Sequence, residues 1–253
     1  MKRLFLFFSL LITLPFVSTA QCVKQNKAVP ESGETLTYAA YFNWSAIWVK
    51  GGEAIFSAKK IGDYYNYKVS AHSMPKWRWV YDLNTNIEAN MKSDMTPVSY
   101  SSSTYEEKKN HFEKITYAGD KLTYSYSTDQ PGSDKTITVD RPDCSYDLLN
   151  EVYAARNLDL SSFEKGEQIP FDVFFTSELT RIYGEVLGEE TIETRNGQKY
   201  DCIKCVANSI PGSIFDPKEP VYVWVTNDER HIPVCVQCKF KFGYIKVYLE
   251  DVK

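Results

Sequence analysis

The stretch from Val221 to Val252 constrains the fold more than any other part of the chain. It runs Val-Tyr-Val-Trp-Val, then a polar Thr-Asn-Asp-Glu-Arg-His, then Ile-Pro-Val-Cys-Val-Gln-Cys-Lys-Phe-Lys-Phe and on to Val252. β-Branched and aromatic residues alternate with polar ones over most of its length, the period-two pattern of half-buried strands. The expectation is strand, polar turn and one long strand with a bend at Gly243. A helix-period reading does not fit, so the chain is expected to be an antiparallel β protein.

The N-terminus reads as an export signal. Lys2 and Arg3 precede an apolar run from Leu4 to Val17, and Ser18-Thr19-Ala20 supplies small residues for cleavage after Ala20. The run falls short of the roughly 20 residues of a membrane span, and no later stretch of the mature chain reads as transmembrane. Residues 1–20 are therefore expected to be removed, placing the protein in the periplasm or in association with the outer envelope. Cys22 leaves a lipid anchor as an alternative, although Gln21 is not the small residue that lipidation sites place before the cysteine. Residues 21–33 are polar and read as a loose lead-in, and residues 34–253 as a single β domain.

Net charge is −4 and becomes −6 once Lys2 and Arg3 leave. With its lysines spread evenly, the chain lacks the basic patch of nucleic-acid binders. Aromatic residues make up 15%, with 18 Tyr, which suits strands and also a ligand-binding groove.

In order, strands are expected over Glu34–Phe42, Glu53–Lys60 after a tight turn at Gly51-Gly52, Asp63–Ser73 and Asn84–Met91. A meander follows over Pro97–Thr104, Phe112–Tyr117 and Lys121–Ser127, turning at Ala118-Gly119-Asp120. Lys135–Val139, Gln168–Phe175, Thr180–Leu187 and Gln198–Asn208 continue the pattern. Ser145–Asn157 is the one expected helix, capped by Ser145 or Asp143, with Leu148, Leu149, Val152 and Tyr153 sharing a face. Met74–Asp82, with Pro75, Trp77, Trp79 and Tyr81, reads as a short helix capping an open sheet end or as an aromatic rim. The sum is a mainly β fold of about twelve strands and one helix, in a large curved antiparallel sheet or half-barrel.

Several stretches together carry a family resemblance: Gly33-Glu34-x-Leu-x-Tyr38, Gly51-Gly52-x-Ala54, Asp143 to Arg156, and Trp224-Val-Thr-Asn-Asp228-x-Arg230-x-x-Pro233. In order and spacing they resemble the exported bacterial family catalogued as domain of unknown function 3108, over most of the mature chain. The resemblance implies an envelope location and an antiparallel β fold similar to the curved half-barrel of periplasmic lipoprotein carriers. It brings no catalytic residue and no cofactor, and the paired cysteines are not part of its pattern.

Six cysteines, Cys22, Cys144, Cys202, Cys205, Cys235 and Cys238, are disulfide candidates, an even count in an exported chain. Cys202-x-x-Cys205 and Cys235-x-x-Cys238 also have the spacing of zinc ligands, but both pairs lie in runs that read as strand, where residues three apart face opposite ways. In a simple meander the Val221 strand would separate them by about 10 Å, twice the roughly 4.8 Å strand spacing and beyond disulfide reach. Disulfides, buried thiols, zinc and a catalytic thiol stay open in that order.

Enzymatic signatures are missing. His72, His111 and His231 have no metal-binding spacing, and no nucleophile elbow or phosphate loop occurs. Glu106-Glu107 and Glu189-Glu190 read as exposed pairs. His231 with Asp228, Glu229 and Arg230 reads as a charged turn. The best candidate ligand surface is the aromatic set Trp44, Trp48, Trp77, Trp79 and Tyr81, whose rings suit lipid chains or sugar faces; the alternative is that they close the ends of the core. The expectation is a non-catalytic envelope protein holding a lipid-like or glycan ligand, or an envelope partner's segment, on a curved sheet. The alternatives are a structural assembly subunit of the envelope and, behind it, a hydrolase of envelope glycans or lipids.

Overall fold

The structure, a computed structural model, describes residues 22–44, 47–208, 219–240 and 243–253; the export signal expected over residues 1–20 lies outside them. Eight strands come first: β1 (Glu34–Trp44), β2 (Ile47–Ile61), β3 (Tyr64–Ser73), β4 (Leu83–Lys92), β5 (Pro97–Glu106), β6 (Lys109–Ala118), β7 (Lys121–Thr128) and β8 (Lys135–Asp140). Then come β9 (Ser145–Asp147), helix α1 (Leu148–Ala155), β10 (Gln168–Phe175), β11 (Glu178–Glu193), β12 (Lys199–Ala207), β13 (Val221–Thr226), β14 (Pro233–Phe240) and β15 (Gly243–Val252).

All fifteen strands form one sheet, in the order β8-β7-β6-β5-β4-β3-β2-β1-β15-β14-β13-β12-β11-β10-β9. The first and last strands pair at its centre, Leu36 opposite Val252 and Ala40 opposite Val247, and the chain meanders outward from there in both directions. Only β9 joins in parallel, beside β10. The sheet curls without closing among the described strands: Tyr124 on β7 and Phe174 on β10, near opposite edges, bring their rings to 5.4 Å.

The concave face is packed on alternate residues, as the pleat requires. On β3, Tyr65, Tyr67 and Val69 join Met91, Tyr100, Ile115, Leu122 and Tyr124 in one buried cluster, completed by Leu149 and Tyr153 of α1. Tyr153 stacks flat on Tyr67 with centroids 3.8 Å apart, a contact worth about 0.5–1.5 kcal/mol beyond its buried area. A second cluster gathers Leu36, Tyr38, Cys202, Trp224, Val234, Cys235 and Leu249.

Four expectations require correction. The run Ile232–Val252 is not one bent strand: β14 and β15 are separate and pair from Phe240 opposite Gly243 onward. The helix starts later than Ser145, because Ser145–Asp147 pairs with Asp172–Phe174 as β9; Asp147 is the cap, accepting from the Leu149 and Asn150 amides at 3.1 and 3.0 Å. These two changes account for most of the excess over about twelve strands. Gly51-Gly52 is not a turn but lies inside β2, where Ala40 pairs with Gly52 and Tyr41 with Lys50, so that Gly51 is the extra residue of a bulge. The lead-in is not loose: Ala28 and Val29 are buried, Asn26 donates to the Tyr67 hydroxyl at 2.9 Å, and Cys22 is bonded to Cys144.

Three of the four motif stretches meet at one place beneath the lead-in. Arg156, just after α1, donates from Nη1 and Nη2 to the Glu34 carboxylate and from Nε to the Arg230 carbonyl at 3.0 Å. Arg230 adds Nη2 to Glu34 at 2.8 Å, Tyr38 donates to the Pro233 carbonyl at 2.9 Å, and Asp228 caps its own turn by accepting from the Arg230 amide at 3.0 Å. This network clamps the centre of the sheet to the helix and serves architecture.

Candidate functional site

Away from α1, the same concave face empties of large side chains. Alternation carries the core face of β3 from Val69 to Ala71 and Ser73, that of β15 from Leu249 to Val247 and Ile245, and that of β1 from Tyr38 to Ala40. With Gly52 and Ala54 of β2, these residues floor an apolar cleft of about 240 Å³. It exists because small residues stand side by side on adjacent strands: Ala40 opposite Gly52 and Ala54 opposite Ala71.

The segment Met74–Asp82 forms one wall, entering through a 3-10 turn at Pro75–Trp77, so that it both caps the sheet end and lines the rim. Trp77, Val80 and Tyr81 face the cleft, and Trp77 meets Phe42 edge-on, centroids 5.2 Å apart. Both ends of the segment are tied down. The Met74 amide donates to the Gly51 carbonyl at 2.8 Å; the Tyr81 hydroxyl donates to Glu106, and the Asp82 amide to Glu107 at 2.7 Å. The bulge serves the same wall, since a Cβ on Gly51 would stand 2.6 Å from the Phe42 ring.

The charged residues of the same strands point away from the floor, with Glu53 between Gly52 and Ala54 and His72 between Ala71 and Ser73. Lys50 bridges Glu53 at 2.8 Å and Glu250 at 3.1 Å, and the Glu53–Lys50 hydrogen bond holds the Glu53 carboxyl below its ordinary range. His72 Nε2 lies 3.8 Å from Glu53. Such a cleft can shelter a hydrocarbon chain.

Of the aromatic set, the structure brings Trp77 and Tyr81 to the cleft. Trp79 stands beside Trp77, centroids 6.4 Å apart, and is 70% exposed. Trp48 lies outside the lining, under the Lys246 ammonium at 5.4 Å. Trp44 ends β1, but its side chain lies outside the described residues. Sequence reasoning missed Phe42, the alanines and the glycines of the floor; their signal was a run of small residues at alternate positions on consecutive strands.

The remaining candidates are accounted for structurally. Cys22 and Cys144 form a disulfide with Cα atoms 5.1 Å apart. The other four cysteines are thiols, separated by β13 as the meander requires. Cys202 and Cys235 pack in the cluster around Trp224, whereas Cys205 packs against the one formed by Leu158, Ile203 and Val225. Burial pushes Cys202, Cys205 and Cys238 up to about 11 and Cys235 to about 12, the opposite of an activated thiolate. Of the adjacent glutamates, Glu107, Glu189 and Glu190 are exposed and Glu106 is half-buried, and each makes a structural hydrogen bond: besides Glu106 and Glu107, Glu190 accepts from the Trp224 indole at 2.9 Å and Glu189 from Asn227 at 3.0 Å. His231 donates from Nδ1 to the Arg156 carbonyl at 2.8 Å. No helix among the described residues is long and apolar enough to cross a membrane.

The family model described as protein of unknown function (DUF3108) matches residues 37–250. No curated protein matches the sequence. Among solved structures, a β-barrel-like protein of domain of unknown function DUF1849 from Brucella abortus is similar, with a TM-score of 0.60 at 8% identity, covering 89% of this chain and 98% of that one. That likeness is one of fold. A candidate exported protein with a YmcC-like fold from Bacteroides fragilis (TM-score 0.36, 11% identity, 92% and 100% covered) and a candidate lipoprotein from Parabacteroides distasonis (0.34, 13%, 92% and 100%) resemble it more distantly.

Proposed function

The chain belongs to the DUF3108 family of unknown function, and we propose that it is an exported, non-catalytic envelope protein that holds the apolar part of a lipid-like, amphipathic ligand in the cleft lined by Phe42 and Trp77. The cleft itself carries the reading: apolar walls and a floor of Ala40, Gly52, Ala54 and Ala71. Its size sets what fits. At about 240 Å³ it falls just below the roughly 300–1,000 Å³ of sites that enclose a drug-sized ligand. It suits a stretch of acyl chain whose head remains in solvent. Export is supported by the N-terminal segment and by the Cys22–Cys144 disulfide, which suits an oxidising compartment. The non-catalytic reading is supported by carboxylate pairs committed to structural hydrogen bonds and by thiols raised by burial.

Native mass spectrometry of protein purified from a periplasm tests it. The wild type is expected to carry extra mass of lipid size that is lost on denaturation. Ala71→Phe, which fills the floor, is expected to fold and carry none. A bare wild-type chain, or equal cargo in both proteins, would count against the cleft.

An assembly role is the second reading, favoured by β8. Its Thr-Ile-Thr-Val core pairs with β7 on one side and with no other described strand, so it offers a partner the main-chain groups of an edge. Co-purification of an envelope protein lost on Ile137→Pro would support that role.

A further inference from the structure

We propose that the cleft end of the sheet docks on the surface of an anionic lipid bilayer, with Trp79, Ile47 and Tyr244 entering the headgroup region. This goes beyond ligand binding, because none of its main determinants needs the cleft to be occupied. Three of the most exposed large apolar side chains lie at this end: Trp79 at 70%, Ile47 at 60% and Tyr244 at 46%. They come from three separate elements. Ile47 starts β2, paired with the last residue of β1. Tyr244 is the second residue of β15 and lines the cleft. Trp79 follows Trp77 on the wall.

The occupant is indicated by the charges interleaved with these rings. Lys76-Trp77-Arg78-Trp79 alternates cation and indole. Lys76 Nζ stands 5.5 Å from the Trp77 ring centre, and Arg78 is half exposed, with Asp82 the acidic group that faces it, at 3.6 Å. The basic stretch is confined to residues 76–79, since Asp82, Glu106 and Glu107 gather at the other end of the wall, on a chain that is acidic overall. Indoles and phenols prefer the bilayer interface, where one part of the ring is apolar and the other wet. Basic side chains beside them meet anionic headgroups. The cleft opens into the same surface that would touch lipid.

Flotation with vesicles of phosphatidylethanolamine and phosphatidylglycerol tests the proposal on the mature protein. Wild type is expected to float with the vesicles. Trp79→Ser is expected to lower partition by about tenfold, and Lys76→Glu with Arg78→Glu by as much or more. Ile61→Ser provides the control: Ile61 is 58% exposed but ends β2, about 45 Å along the strand from Ile47, and its partition should match wild type. Circular dichroism on each variant confirms folding. Failure of wild type to float, undiminished flotation of Trp79→Ser, or an equal loss in Ile61→Ser would overturn docking. The cleft reading is separable, because Trp79→Ser should keep its bound mass while Ala71→Phe loses it and still floats.

Discussion

Arg156 grips the carboxylate of Glu34 with two guanidinium nitrogens across 122 residues of sequence, and the two side chains are only 3% and 0% exposed. Removing either partner strands a charge where water cannot reach it. Glu34→Ala is expected to cost about 3–5 kcal/mol, the range for breaking a buried pair from one side. Arg230, a third exposed, leaves the Arg156–Glu34 pair standing, so Arg230→Ala should cost about 1.5–3 kcal/mol, one hydrogen bond to a charged group, and toward the low end because solvent reaches it. Urea unfolding at neutral pH measures both. Equal losses would show that Glu34 is not held as a buried ion.

The Cys22–Cys144 bridge spans 122 residues and pins the lead-in against α1. Constraint of the unfolded chain by a loop of that length is worth roughly 5 kcal/mol in the chain-entropy model, with 2–4 kcal/mol typical of measured bridges. Cys22→Ser should therefore lower stability by about 2–4 kcal/mol and expose Ala28 and Val29 to hydrogen exchange. Native-state alkylation without reductant gives a second reading: Cys202, Cys235 and Cys238, buried and raised by burial, should label only as the protein unfolds. Fast labelling of Cys235 in the native state would contradict its burial.

Period-two alternation found nearly every strand, because burying one face leaves a local mark; Gln168–Phe175 is the expected segment to the residue, and the Asn196-Gly197 turn joins β11 to β12, with Gly197 at φ 84°. The pairing of β1 with β15 left no such mark, since strand order depends on long-range closure. Neither did the Glu34–Arg156–Arg230 network, whose members look like ordinary surface charges until the fold gathers them. Gly51-Gly52 reads as a turn because glycine pairs mark turns, but neither glycine takes a positive φ; they are there for space, Gly51 beside the Phe42 ring and Gly52 beside the His72 carbonyl. The cleft was half legible: Trp77 and Tyr81 announced its wall, but its floor is defined by missing side-chain volume, which stands out only once neighbouring strands are in register.

Gly51 offers a test of that geometry. A methyl group there would overlap the Phe42 ring at 2.6 Å, and Phe42 is backed by Trp77. Gly51→Ala should therefore push the ring into the cleft, costing about 1–3 kcal/mol as an overpacked site does and reducing bound lipid mass. Combining it with Phe42→Ala removes the overlap, so the double variant should be more stable than the sum of the single losses. Thermal unfolding of the four proteins reads the coupling; strict additivity would mean the bulge tolerates a side chain by another route.

Glu151 sets how the fold responds to alkali. Its carboxyl faces a small cavity lined by Val23, Cys144, Tyr146, Leu158 and Phe171. Burial, with the negative charges of Asp147 and Asp172 adding to it, raises it from 4.5 to about 8. The nearby cation Arg181 is committed to Asp172 by two contacts of 2.7 Å. In the unfolded chain Glu151 gives up its proton near pH 4.5, while the folded protein keeps it until about pH 8. Between those values the unfolded state binds fewer protons, so stability falls as pH rises. The loss approaches about 1.4 kcal/mol per pH unit and totals on the order of 3–5 kcal/mol across the window. Asp147, raised by burial to about 6, contributes in the same direction but only over the lower part of that range. Glu151→Gln keeps the shape without the proton, so its stability should be nearly flat from pH 6 to pH 8 while that of wild type declines. Urea unfolding at steps through that range decides the matter, and parallel profiles for the two proteins would assign the decline to another group.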